Sequence, residues 1–163
     1  MKSTQLRKDL AYVGSLGTRG LGYSVEDLSK TLTAVLGTTH LQPVILVGVG
    51  NLGAALLDYQ GFERQGFEVI CGFDQDLDRI IEGVEITVLG MEQMKAFVQE
   101  KEVKMAILTV PGTAAQEVTN RLVEAGIQGV LNFAPTVLQV PEHVVVNNVD
   151  LALELENLSY FIS

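Results

Sequence analysis

From residue 43 the chain alternates short continuous apolar runs with segments of helical spacing. Residues 43–47 form a run of the length expected for a strand buried on both faces, residues 51–65 read as a helix, and residues 67–73 as the next strand. A weaker strand at 86–89, a helix over 91–100 and a strong strand at 104–110 follow. Residues 113–125 predict a helix stopped by Gly126, and strands follow at 129–133 and 143–146. This repeated strand-then-helix order predicts a doubly wound, mostly parallel α/β sheet, covered on both faces and joined by right-handed crossovers.

The ends of the chain have a different texture. Residues 3–11 suggest a short helix with Leu6 and Leu10 four apart, and the glycine-punctuated stretch from Gly14 to Tyr23 suits a tight hairpin. Ser24 with Asp27 resembles a capping box, and Val25, Leu28, Leu32, Val35 and Leu36 keep helical spacing up to Gly37. Residues 37–42 then read as a linker. At the other end, residues 148–162 predict a helix with Leu151, Leu155, Leu158 and Ile162 on one stripe and Val149, Leu153 and Tyr160 beyond it. So much apolar surface calls for burial against more than one sheet face. A partner subunit would supply it; docking on the helix's own domain is the simpler alternative.

Composition narrows the class. A chain of 163 residues, 47% of them hydrophobic, fits one domain with at most a small appendage and buries a real core. The single Cys71, inside the apolar segment 69–73, excludes an internal disulfide framework and reads as a small buried hydrophobe. No secretory leader opens the chain and no apolar run is long enough to span a bilayer, so the expected location is the cytoplasm. The net charge is −9, but Lys2, Arg7, Lys8 and Arg19 against Asp9 give the first 23 residues +3 and leave −12 for the rest. An acidic body disfavours broad nucleic-acid binding, while the basic leading segment permits a local phosphate contact.

The chemistry centres on Gly48-Val49-Gly50-Asn51-Leu52-Gly53, which follows a predicted strand and opens a predicted helix. In a Rossmann-type domain the first glycine permits the tight turn, the second lets backbone approach a pyrophosphate, and the third allows close helix–strand packing. Asp74 stands at the end of the second strand, about 20 residues on, where a carboxylate accepts hydrogen bonds from a ribose diol and repels a 2′-phosphate. NAD(H) is therefore expected over NADP(H). The carboxyl ends of the later strands carry Val110-Pro111 and Asn132-Phe133-Ala134-Pro135, and His40 and His143 fall elsewhere. That leaves no acid/base pair for hydride transfer. An apolar pocket favours neutral dihydronicotinamide over the oxidised cation, which suits a sensor. Two other readings stay open: an NAD-dependent oxidoreductase fragment, and a CoA- or nucleotide-binding module with less use for Asp74.

Taken together, these segments resemble the redox-sensing transcriptional repressor family Rex. The resemblance runs through Arg7-Lys8-Asp9-Leu10, Gly17 to Tyr23, Gly48 to Leu56, Tyr59 with Phe62 and Gly66-Phe67, and Phe73-Asp74. It continues in Val110-Pro111, Gln116-Glu117-Val118, Asn132 to Pro135, and the tail Val149-Asp150-Leu151-Ala152 with Glu154-Leu155. It implies a homodimeric, non-enzymatic sensor in which a winged helix binds operator DNA and a Rossmann domain binds NADH or NAD⁺. The C-terminal helix swaps between subunits, and NADH closes the dimer and releases DNA. By the same resemblance, residues 48–53 hold the pyrophosphate and Asp74 the adenosine ribose. Val110, Pro111, Asn132, Phe133, Ala134 and Pro135 border the nicotinamide, with Tyr59 near the ring. Asp150 lies close to that pocket at the subunit boundary, placed to pair with the DNA-binding domain.

The resemblance divides the chain into a winged-helix remnant (1–37), a Rossmann domain (38–147) and a dimerisation helix (148–163). Gln5, Arg7, Lys8 and Arg19 would contact DNA from the recognition helix and wing. The family's winged helix begins with two further helices, so this sequence is expected to be truncated and deficient in specific operator binding. Leu151 stands where some members carry an aromatic, and Ala54 where an arginine often follows the glycines.

Overall fold

The computed structural model describes residues 40–79 and 85–163. The segments expected over residues 3–37, including Gln5, Arg7, Lys8 and Arg19, lie outside the described residues. The chain divides into two units, Met1–Leu41 and Gln42–Ser163.

The second unit is a six-stranded sheet. Its strands are β1 (Gln42–Val47), β2 (Phe67–Asp74), β3 (Val88–Gly90), β4 (Met105–Leu108), β5 (Gly129–Asn132) and β6 (Val145–Asn148). They lie in the order β3-β2-β1-β4-β5-β6, and every neighbouring pair is parallel. This is the Rossmann order, with its topological switch between β1 and β4. The helices are α1 (Asn51–Leu57), α2 (Gly61–Arg64), α3 (Met94–Lys101), α4 (Gly112–Ala125) and α5 (Leu151–Ile162).

Alternation along β1 sorts the core into two layers. Ile45 and Val47 join Cys71, Phe73, Ala106 and Leu108 beneath α3 and α4, where Met94, Val98, Ala115 and Leu122 close the packing. Val44 and Leu46 face the other way, with Val69 and Ile107, against Ala54 and Leu57 of α1. Burial raises the Cys71 thiol from 9.0 to about 11, as its reading as a core residue requires.

Three expectations change. The helix expected over 51–65 breaks after Leu57 and resumes at Gly61, with the Tyr59 ring lying over Gly61 and edge-on to Phe62 at 4.9 Å. A side chain at position 61 would collide with that ring. The tail helix starts at Leu151, three residues later than its spacing suggests, because Asp150 caps it: Leu153 N–H donates to Asp150 Oδ1 at 3.0 Å. Helical cover is also uneven. The β5–β6 connection carries no helix, and on the α1 face Leu131 is half-buried while Val145 of the edge strand is 60% exposed.

Candidate dinucleotide site

The glycine turn joins the carboxyl end of β1 to α1, and its three glycines serve three different purposes. Gly48 has φ +98°, a conformation side chains disfavour, and a Cβ there would press on the Thr109 carbonyl group at 2.7 Å. Gly53 packs so closely against the Gly48 carbonyl that any side chain would overlap it. Gly50 differs. Its backbone is ordinary, at φ −87° and ψ −155°, and nothing stands within 4 Å of where its Cβ would project. The protein's own packing does not require a glycine there. Gly50 also caps α1 without any side-chain acceptor, so the N–H groups that open the helix have no side-chain cap, whereas Gly48 N–H donates to the Phe73 carbonyl at 2.8 Å. Asn51 and Leu52 are exposed, and Val49 is buried.

Asp74 meets this turn directly. Val49 N–H donates to Asp74 Oδ2 at 2.7 Å, and Asp76 N–H to Oδ1 at 2.9 Å. The partly exposed carboxylate keeps lone pairs for further donors while its position is fixed by backbone. Thr109, which sequence reasoning passed over, fastens the other side. Its hydroxyl donates to the Gly48 carbonyl at 2.6 Å and lies 3.2 Å from that of Val47. The available signal was a polar residue at the end of the apolar strand 104–110.

Val110, Pro111 and the segment Phe133–Pro135 follow β4 and β5 at the same carboxyl edge. Pro111 precedes α4, and a Cβ on Gly112 would touch Pro135 at 3.5 Å, so the two loops adjoin. Ala134 is buried, Phe133 and Val110 half-buried, and Pro135 exposed. Asn132 has a different place from that expected of a lining residue. Only 1% exposed, it accepts from Ala134 N–H at 2.9 Å and donates to the Thr136 carbonyl at 3.2 Å and to Asn148 Oδ1 at 2.9 Å. Its side chain is spent on shaping the loop. Asp150, exposed, lies two residues beyond β6 at this edge.

Tyr59 does not join these residues within one chain. Seven residues of α1 carry it about 10 Å from the glycine turn. There it borders a cleft of about 220 Å³ with Asp58, Glu63 and Glu85.

Comparison with known proteins agrees with this geometry. The family model for a CoA binding domain matches residues 39–136. A redox-sensing transcriptional repressor Rex from Pelotomaculum thermopropionicum is 45% identical over 161 residues, 98% of this chain and 76% of the relative. Its counterpart from Carboxydothermus hydrogenoformans is 46% identical over 97% of this chain and 76% of its own length. The chain belongs to the Rex family. It thus spans about three quarters of the length of these Rex relatives. Among solved structures, the Rex-family repressor RSP in complex with β-NAD⁺ and operator DNA superposes with a TM-score of 0.76 at 35% identity, covering 99% of this chain and 75% of that one. RSP in complex with β-NADH gives 0.73 at 34%, covering 98% and 74%. Among the described residues no helix is long and apolar enough to cross a membrane.

Proposed function

We propose that this chain is an NADH/NAD⁺-sensing repressor whose dinucleotide lies across the carboxyl edge of the sheet. Gly48, Val49, Gly50, Asn51, Leu52 and Gly53 hold the pyrophosphate and Asp74 the adenosine ribose. Val110, Pro111, Phe133, Ala134 and Pro135 border the nicotinamide, with Asn132 beneath them. The observation that carries this reading is the Val49–Asp74 hydrogen bond, which locks a ribose acceptor to a glycine turn whose outward glycine faces open space. RSP is known both with β-NAD⁺ on operator DNA and with β-NADH, and the same two nucleotides are the ligands proposed for this site. NADH and NAD⁺ act as ligands and are not turned over.

Residues 1–37 form the operator-binding part, with Gln5, Arg7, Lys8 and Arg19 as contacts, residues 38–147 the sensor, and residues 148–163 a helix that pairs two copies. The pairing rests on α5, whose leucines and aromatic residues are exposed along its length, and on the α1 face near Val145, which lacks a covering helix. NADH closes that dimer and releases DNA, and Asp150 sits at the boundary between subunits. The NAD(H) pool and operator DNA that such a repressor reads place it in the cytoplasm.

The CoA binding domain match favours a second reading, a CoA module. Calorimetric titration with NADH, NADPH and CoA decides between them. The sensor binds NADH, discriminates against NADPH through Asp74 and ignores CoA. CoA binding tighter than NADH, or turnover of NADH in a steady-state screen, would replace this reading.

A further inference from the structure

Asn132 is the last residue of β5, and its amide orientation is fixed by backbone. The Ala134 N–H needs an acceptor, so Oδ1 faces it, and the two Nδ2 protons go to the Thr136 carbonyl and Asn148 Oδ1. The Asn132 main-chain carbonyl also accepts from Val149 N–H at 2.8 Å. One buried residue therefore holds both the loop that carries Ala134 and Pro135 and the last turn of chain before Asp150 caps α5.

Asn148 itself is exposed and belongs to the edge strand, on the far side of Asn132 from the loop. Nothing in a nicotinamide pocket requires it. Yet without its oxygen, one Nδ2 proton of a side chain 1% exposed has no acceptor. An orphaned buried donor is costly, so the amide shifts towards other partners and its grip on Ala134 and Thr136 loosens. The glycine turn is untouched, because Thr109 and Asp74 fasten it from other strands.

We propose that Asn148 is a positioning residue for the nicotinamide end of the dinucleotide, acting through Asn132. The same bridge ends two residues before the N-cap of α5, so the pocket wall and the base of that helix are held by one amide. The loop and the base of the helix are therefore coupled through that amide. This inference rests on the nicotinamide lying against residues 133–135.

The test compares NADH with ADP-ribose, which shares the pyrophosphate and adenosine but lacks the nicotinamide. Affinities are measured by calorimetry on the full 163-residue chain, with thermal melting to verify folding. In Asn148→Ala, NADH should bind roughly two- to tenfold more weakly, the effect of one ordinary hydrogen bond, with ADP-ribose affinity unchanged. Asn148→Asp keeps an acceptor oxygen and should restore NADH binding. Equal losses for both ligands, no loss for either, or failure of Asn148→Asp to restore binding overturns the inference and leaves the NADH reading standing. A wild-type protein that binds ADP-ribose as tightly as NADH overturns the nicotinamide placement and the inference with it.

Discussion

The half of the sheet that runs out to β3 and the half that runs out to β6 are finished in different ways. At β1–β2 the structure closes on itself: Thr109 and Asp74 clamp the glycine turn, α1 covers Val44 and Leu46, and each polar group of the clamp has a partner in the same chain. At β5–β6 the crossover has no helix, Val145 faces outward, and α5 leaves with Leu155 67% and Ile162 84% exposed. The first end is stable on the strength of its own sequence. The second end presents apolar surface that only association removes from water. In a sensor this division has a use, because a ligand bound at the finished end can bias the arrangement of the unfinished one.

The sharpest way to break the contrast is to charge the unfinished end. A fully buried leucine contributes about 1.5–3 kcal/mol, so Leu155→Glu with Leu158→Glu should weaken a dimer by a factor on the order of 100 or more. Sedimentation should find monomer or aggregate. A variant that remains a dimer, or one that was monomeric before the change, removes α5 as the joint.

Two glycines sharpen the other side. Gly53→Ala forces a methyl into the Gly48 carbonyl and should destabilise the fold by about 1–3 kcal/mol, lowering the thermal midpoint. Gly50→Ala meets open space at an ordinary backbone angle, so the midpoint should hold or rise slightly. Its NADH affinity should nevertheless fall by tenfold or more, about 1.4 kcal/mol, as the methyl enters the pyrophosphate's place. If both substitutions act alike on melting, the distinction between an inward and an outward glycine is wrong.

Asp74→Ala should relax the preference for NADH over NADPH by about 1–3 kcal/mol, since ribose hydroxyls and two backbone N–H groups lose their acceptor. Competition titration measures it. Unchanged discrimination would mean that Asp74 serves the turn alone.

The smallest effect concerns the core of β2, within the first of these regions. The Cys71 thiol is raised from 9.0 to about 11 in the folded chain, so its contribution to stability is intact below pH 9 and declines between pH 9 and 11, as the unfolded thiol ionises first. Denaturation curves of Cys71→Ala should lack that part of the alkaline decline. An identical decline in both proteins would show that the site is wetter than its packing indicates.

The finished end was also the legible one. Glycine spacing after an apolar strand located the turn, and the acid at the end of β2 was found because a parallel crossover fixes where that position falls. Parallel pairing followed from strand–helix alternation. What escaped were devices made by distant residues: the Thr109 clamp across 61 positions, and the Asn132–Asn148 bridge. No local periodicity encodes them. The break between Leu57 and Gly61 escaped for a related reason, since the residues around Tyr59 fit a continuous helix in sequence. The apolar excess of residues 148–162 was readable as surface in need of a partner, although not as a helix that starts only after Asp150.

The central claim is that this protein reads the oxidation state of the nucleotide, and the most direct measurement is the affinity of the same preparation for NADH and for NAD⁺ by displacement titration. In the proposed placement the ring lies beside the half-buried Val110 and the prolines at 111 and 135, and burying the cationic oxidised ring there carries a desolvation cost that the neutral reduced ring avoids. NADH should bind more tightly than NAD⁺. Equal affinities, or a preference for NAD⁺, would contradict it.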